Sequence, residues 1–306
     1  MKTAITRSEF LRLAAGAALC AVSPFSLSAA SERHPLRRRA IPASGEPLPV
    51  IGVGTYRNFD ISPADGAAWA DCRKVLEELF AAGGSVIDSS PMYGRAEAAV
   101  GALLDGLPGR ESAFIATKVW TQGRQRGIEQ MQDSMRLLQR PIDLMQVHNL
   151  MDWREHLATL RRWKEESRIR YLGVTHYTAS AYDQLEKVLL AEKPDFLQIN
   201  YALNDREAER RILPLAREHG VAVLINRPFG GGSLLRNILR QPLPAWSGDY
   251  DCASWPQLLL KFCLSHPAVT CVIPGAGNPR HMADNLQAGR GREADQAFRK
   301  RLIDLL

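Results

Sequence analysis

The sequence predicts an α/β protein made of a single (β/α)8 TIM barrel with an N-terminal β-hairpin cap, and three observations predict it. Eight short β-rich runs alternate with longer helix-patterned segments from Val50 onward. The alternation fills the roughly 250 residues that such a barrel occupies. No interdomain linker, and no internal repeat beyond the βα unit, interrupts it. At 306 residues and 45% hydrophobic content, the chain has the material for that core. An open doubly wound sheet is the rival, but it would carry a Gly-rich nucleotide turn after its first strand, and "GVGT" from Gly52 to Thr55 lacks the third glycine.

Residues 1–30 read as an export signal, and residues 31–306 as the barrel. A basic start (Lys2, Arg7, Arg12) precedes the Ala/Leu-rich run from Leu13 to Val22, then Pro24, then small residues at Ser28 and Ala30. "TRSEFLR", Thr6 to Arg12, resembles the twin-arginine export motif with Ser8 in place of the second arginine. The expectation is a periplasmic or otherwise exported protein; the cytoplasmic alternative keeps the segment as an amphipathic helix. The apolar run is shorter than the roughly 20 residues of a membrane span, so no span is expected.

"IPASGEPLPV", Ile41 to Val50, reads as a hairpin turning at Ser44-Gly45-Glu46 and capping the barrel bottom. The expected strands then follow at Val50–Val53, Val86–Ile87, Phe114–Thr117, Leu144–Val147, Tyr171–Val174, Phe196–Ile199, Val221–Ile225 and Val269–Ile273. Between them "CRKVLEELFAAG", "IEQMQDSMRLLQR", "EHLATLRRWKEE", "AYDQLEKVLLAE" and "EAERRILPLAREHG" place apolar residues at three- and four-residue spacing, as amphipathic helices do. The stretch from Arg227 to Trp255 is the longest irregular insertion, and long loops in compact domains are often functional.

The net charge of +6 is concentrated at the start, where residues 1–40 hold seven Lys/Arg against two Glu. The body is nearly neutral and carries no nucleic-acid footprint. Arg37-Arg38-Arg39 reads as a solvated flank. Cys72, Cys252, Cys263 and Cys271 have no Cys-x-x-Cys spacing, which argues against zinc or thiol-redox chemistry and favours buried free thiols.

In a (β/α)8 barrel the chemistry sits at the C-terminal ends of the strands. Asp88 ends the second strand, with Tyr93 five residues on, past Ser89, Ser90 and Pro91. Lys118 ends the third and His148 the fourth; Thr175 and His176 follow the fifth, Gln198 lies at the end of the sixth, and Asn226 and Arg227 follow the seventh. An acid, a phenol, an ammonium and an imidazole at one mouth suit proton delivery to a carbonyl. Tyrosine keeps its proton at neutral pH, a neighbouring ammonium strengthens it as an acid, and a carboxylate holds that ammonium in place. Histidine would orient the substrate oxygen. No His/Asp/Glu set calls for a metal.

These segments resemble the aldo-keto reductases. "IPASGEPLPVIGVGT" is similar to the family's opening hairpin and first strand, and the stretch Val86 to Gly94 to its Asp-and-Tyr signature. "TKVW" is similar to its lysine segment and "DLMQVHN" to its histidine segment, and the order holds from about Arg39 to Gln287. The resemblance implies NADP(H)-dependent reduction of a small-molecule carbonyl by a monomer, NAD(H) being possible. Tyr93 would be the general acid, tuned by Lys118 and Asp88, with His148 orienting the carbonyl. It also implies a cofactor site at Gly54, Thr55, Thr175, His176, Gln198, Asn226 and Arg227. His176 replaces a usual asparagine there, and Asn226 an aromatic, which leaves Phe229 as the candidate to stack on the nicotinamide. "IPGAGNPRHMADN" resembles the segment for the adenosine end, where Asp284 and Asn285 match adenine-contacting positions. Gly275 stands where many members grip the 2′-phosphate with lysine. Asn278 as helix cap, Pro279 at the first position and Arg280 in the first turn offer a substitute, so a reduced preference for NADP(H) is expected. Tyr56, Trp120 and Trp153 are candidates for the substrate pocket. A sugar or alcohol dehydrogenase of the same fold, and a redox-sensing nucleotide-binding subunit, are the alternative functions.

Overall fold

The structure, a computed structural model, describes residues 34–306. The expected export signal, residues 1–30, lies outside the described residues. Strands β1 (Arg38–Ala40) and β2 (Pro47–Pro49) pair antiparallel. The turn between them is closed by the backbone N–H groups of Ser44 and Gly45, both donating to the Ile41 carbonyl. Ile41 and Leu48 point into the barrel floor and join its inner core, so the hairpin plugs the bottom.

Eight parallel strands follow: β3 (Val53–Gly54), β4 (Val86–Asp88), β5 (Phe114–Val119), β6 (Ile142–Val147), β7 (Ile169–Thr175), β8 (Phe196–Asn200), β9 (Ala222–Asn226) and β10 (Val269–Val272). Each pairs with the next in chain order, and parallel bridges Ile51–Val272 and Gly54–Gly275 close the ring. The first strand is displaced from the expected Val50–Val53. The Val50 N–H is taken by the Arg37 carbonyl, which ties that residue to the hairpin.

Ten α-helices cover the described barrel: α1 (Gly66–Ala81), α2 (Ala96–Leu104), α3 (Arg124–Leu138), α4 (Trp153–Glu165), α5 (Tyr182–Glu192), α6 (Ile212–Glu218), α7 (Ser233–Ile238), α8 (Trp255–Leu264), α9 (Pro279–Gln287) and α10 (Gln296–Ile303). The expected helix over "EAERRILPLAREHG" is broken. A 3-10 turn at Glu207–Glu209 precedes α6, because Pro214 lacks the N–H that would reach back to residue 210 and its ring crowds that carbonyl. Helix α2 has no sequence periodicity to announce it, because its two faces are both packed and seven of its nine residues are buried. The insertion Arg227–Trp255 is less irregular than expected, for it contains α7 and a 3-10 helix at Ala245–Tyr250.

Strand side chains alternate between the helices and the barrel interior. The interior series starts apolar at the bottom with Val86, Phe114, Leu144, Tyr171, Phe196 and Leu224. Two or four residues further along the same strands, the same face presents Asp88, Lys118, Gln146, Thr175, Gln198 and Asn226. The period of two thus stacks a polar upper layer on an apolar floor. At the other end, a cavity of about 280 Å³ beneath the hairpin is lined by Glu46, Asp143 and Arg170. These charges pair with one another (Arg170 to Asp143, 2.7 Å), and Arg170 also pairs with Glu46, so they anchor the cap.

Arg37-Arg38-Arg39 is not a solvated flank. Arg37 donates to the Ala288 and Gly289 carbonyls after α9, Arg38 to the Gly83 carbonyl after α1, and Arg39 to the Leu264 carbonyl at the end of α8 (2.7 Å) and to His266 and Val269 beyond it. The last carbonyls of a helix have no partner within it and carry a partial negative charge. Three consecutive arginines serve three helix ends. The four cysteines of the described residues are buried and free, as the absence of paired spacing in the sequence favours.

Candidate active site

The four strand-end residues converge. Lys118, fully buried, extends across the barrel from β5 to donate to Asp88 Oδ2 at 2.7 Å and to the Ser89 carbonyl at 2.7 Å. Its Nζ lies 5.1 Å from the centroid of the Tyr93 ring. His148 stands edge-on to that ring, with centroids 6.0 Å apart and planes at 87°. The loop that carries Tyr93 is tied down from outside. Arg95 donates to Asp60 through its backbone N–H (3.0 Å) and its guanidinium (3.2 Å). Gly94, at φ +61°, passes so close to the Asp60 carboxylate that a Cβ would fall 2.5 Å from it.

Sequence reasoning missed Gln146. It lies near the end of β6, two residues before His148, and its Nε2 donates to Asp88 Oδ1 at 3.1 Å. Gln198 Nε2 donates to the same oxygen at 2.8 Å and contacts Gln146 Oε1 at 3.4 Å. Room for Gln146 comes from Gly173 beside it on β7, where a Cβ would sit 3.1 Å from the glutamine side chain. Asp88 therefore accepts from an ammonium and two amides while 2% exposed. A charge this deep persists only with such partners. The signal was available in the period of two, since Gln146 follows the inward-facing Leu144 by two residues on β6. Ser90, also fully buried, lies 3.0 Å from His148 Nδ1 through its Oγ.

The electrostatics differ from the sequence expectation at Tyr93. Burial raises the phenol pKa, and this outweighs the opposing pull of the Lys118 ammonium. The net direction is upward, so Tyr93 holds its proton more firmly than a free tyrosine. Lys118 itself is raised. Burial works against its charge, but Asp88 and Tyr93 together outweigh that penalty. His148 is pushed down to about 3, first by burial, then by the charge of Lys118 and by His176. It is a neutral imidazole at any ordinary pH.

Other expected residues are distributed less evenly. Thr55 is buried, with its Oγ1 3.0 Å from the Asp88 carbonyl, to which it donates, and 2.9 Å from Ser89 Oγ, and Thr175 Oγ1 accepts from the Asn149 N–H (3.2 Å). Gly54 and Gly275 face each other across the closing bridge. Asn226 donates through Nδ2 to the His176 carbonyl at 3.1 Å, while its Oδ1 is buried without a partner. His176 stacks on Tyr177 (5.6 Å, 9°), and Arg227 lies 5.5 Å above the other aromatic ring of this pair, Tyr177. Phe229 packs against the helix-strand core, which commits part of its ring elsewhere than to stacking. Asn278 caps α9 by accepting the Arg280 N–H at 2.9 Å, and Arg280 is exposed. Asp284 is already engaged by Ser254 Oγ (2.7 Å) and Gln257 Nε2 (2.5 Å) at the start of α8. Its neighbour Asn285 is buried. Tyr56 is half exposed and lies 5.0 Å from Tyr93, centroid to centroid. Trp120 and Trp153 are half-buried; Trp153 packs on the outer core, and Arg154 covers its ring at 4.2 Å. The exposed Met92 and Tyr177 extend this rim and were not expected. Among the described residues no His, Cys, Asp and Glu cluster could hold a metal.

A parallel eight-stranded barrel with an ion-paired lysine, a tyrosine and a neutral histidine at its C-terminal mouth defines a class of proton-donating oxidoreductase. The model of the Aldo/keto reductase family matches residues 50–301, and the chain belongs to that family. It is 26% identical to the NADH-specific methylglyoxal reductase of Escherichia coli over 300 residues, covering 78% of this chain and 89% of that protein. It is 28% identical to the aldo-keto reductase YhdN of Bacillus subtilis over 210 residues, 62% of this chain and 59% of that one. Among solved structures, an aldo-keto reductase of Klebsiella pneumoniae in complex with NADP and acetate superposes with a TM-score of 0.72 at 23% identity, covering 88% of this chain and 95% of that one. The AKR11C1 aldo-keto reductase of Bacillus halodurans in its holo form gives 0.71 at 24%, covering 88% and 96%. These two likenesses show the barrel.

Proposed function

We propose that this chain reduces the carbonyl group of an aldehyde or ketone with NADP(H), accepting NAD(H) as well, and that Tyr93 is the proton donor. The observation that carries the reading is the buried Lys118–Asp88 pair beside a protonated Tyr93, with neutral His148 edge-on to the same ring. A carbonyl oxygen at the mouth would accept from the Tyr93 hydroxyl and from the free Nε2 of His148. As the oxygen gains charge, Tyr93 gives up its proton. The Lys118 ammonium then faces a phenolate and stabilises it, and Asp88, held by its three donors, keeps the lysine in place and charged.

The residues present fit a nicotinamide. The unpartnered Asn226 Oδ1 is a buried acceptor at the strand ends, suited to the carboxamide NH2. Gln198 spends its own NH2 on Asp88 and Gln146, which leaves Oε1 as a second acceptor. Gly54, Gly275 and the capped start of α9 with Arg280 suit the phosphates. When bound, the cofactor supplies the hydride to the carbonyl carbon. The exposed rim of Tyr56, Met92 and Tyr177 suits an apolar or ring-bearing substrate. The monomeric state and export of a chain trimmed near Ser31 belong to the same reading; export rests on the order of basic, apolar and small residues alone.

The test is Tyr93→Phe assayed on a panel of aldehydes with both cofactors. Carbonyl turnover should fall about 10²–10⁴-fold, the usual worth of general acid catalysis, with cofactor binding unchanged. Wild-type turnover by the variant on a good substrate would rule out Tyr93 as the acid.

A further inference from the structure

We propose that Ser90 is a positioning residue that locks His148 in the tautomer carrying its proton on Nε2, the nitrogen that faces the substrate oxygen. This rests on the carbonyl-reducing role given to His148 above. Ser90 Oγ lies 3.0 Å from His148 Nδ1, and it accepts the Met92 N–H at 3.3 Å. A hydroxyl has one proton to give and two lone pairs to receive with. If His148 donated from Nδ1, Ser90 would accept twice, and its own O–H proton would be left with no acceptor among the described residues. Ser90 is fully buried, and a buried donor left unpaired bears its full desolvation penalty. Donation from Ser90 to Nδ1 satisfies both groups. It also fixes the proton on Nε2, since a neutral imidazole carries one N–H.

The consequence is chemical. A carbonyl oxygen is an acceptor only. The Nε2–H tautomer can hold it beside the Tyr93 hydroxyl, whereas the Nδ1–H tautomer would turn a lone pair toward it. The backbone geometry supports this division of labour: Ser90 lies in the short loop between Asp88 and Tyr93, where the Tyr93 N–H donates to the Ser90 carbonyl at 3.0 Å. The end of β4 and the loop after it therefore carry the lysine's counter-ion, the residue that sets the tautomer of the orienting histidine, and the proton donor.

The experiment reads the tautomer directly. Nitrogen-15 chemical shifts of the His148 ring are recorded in the cofactor-free protein, the signal being assigned by its loss in His148→Gln. The wild type should show a protonated Nε2 and an unprotonated, hydrogen-bonded Nδ1. Ser90→Ala should give a mixture of tautomers and lower kcat about 3- to 10-fold, the worth of one neutral hydrogen bond, with cofactor affinity unchanged. Ser90→Thr, which keeps the hydroxyl, should restore the wild-type ring spectrum. A wild-type ring protonated on Nδ1 overturns the proposal, as does a Ser90→Ala protein with unaltered tautomer and kcat. The ring spectrum is independent of turnover, so its failure is distinct from failure of the reductase reading, which Tyr93→Phe decides.

Discussion

His148 is surrounded by protein on most sides and has a fixed ammonium near it, and both conditions keep its ring neutral. Its pKa of about 3 in the folded protein compares with about 6.5 in the unfolded chain. Between those values the unfolded chain binds a proton that the folded one refuses. Stability therefore falls as pH drops from about 6.5 toward 3, and above 6.5 the group contributes nothing to the slope. Two outcomes follow. The pH profile of kcat between pH 8 and 5 should show no histidine inflection near 6.5. The denaturant midpoint should fall as pH is lowered through that window, and His148→Gln should remove up to about 1.4 kcal/mol per pH unit of that dependence. Titrating both proteins in urea at several pH values checks this, and equal slopes would contradict it. At this scale Asp88, Tyr93, Lys118 and His148 were legible because each stands just past an apolar strand. Gln146 was readable as an inward-facing position from the period of two, but its bond to Asp88 was not, nor was the Ser90–His148 contact, because these partners come from other strands and loops and only the sheet register sets those distances. The direction of the Tyr93 shift was likewise hidden, since burial decides it and burial is a tertiary quantity.

The strand β1 works as a clamp for helix ends. Arg39 serves the carbonyls that follow α8 from a mostly buried position, whereas Arg38 reaches the Gly83 carbonyl from an exposed one. Arg39→Ala should destabilise the protein by about 1–3 kcal/mol, the cost of leaving buried acceptors unpaired. Arg38→Ala should stay within about 0.5 kcal/mol of the wild type, as exposed substitutions do. Urea midpoints of the two variants test the difference, and equal effects would refute the clamp. In sequence the three arginines looked alike, because alternation along a strand assigns them faces but says nothing of which helix ends lie beneath. Helices α1, α3, α4 and α5 were legible from one apolar stripe each. Helix α2 was not, being packed on both faces, and α6 was cut short by a single proline.

The alternation of strand and helix patterns foretold the whole barrel, and the closing bridges Ile51–Val272 and Gly54–Gly275 complete it. Closure brings the first βα loop beside the start of α9, where the dinucleotide's phosphates are expected. Gly275 offers no charge there, and Arg280 in the first turn of α9 is exposed and available. NADP(H) should therefore bind more tightly than NAD(H), and Arg280→Ala should weaken NADP(H) while sparing NAD(H), a loss of about tenfold for one charge-assisted contact. Fluorescence titration of both cofactors checks this; equal losses, or a wild type that prefers NAD(H) as the Escherichia coli relative's name states for that enzyme, would exclude it. The sequence by itself determined the order of elements, the residues at the strand ends and the family signature, because these are written in local periodicity and spacing. The tertiary structure alone decided that Asp88 accepts from three donors, that Tyr93 is a more reluctant acid than a free phenol, and that Ser90 faces His148. Each of these depends on distances and burial between segments far apart in the chain, which only the register of the closed sheet sets.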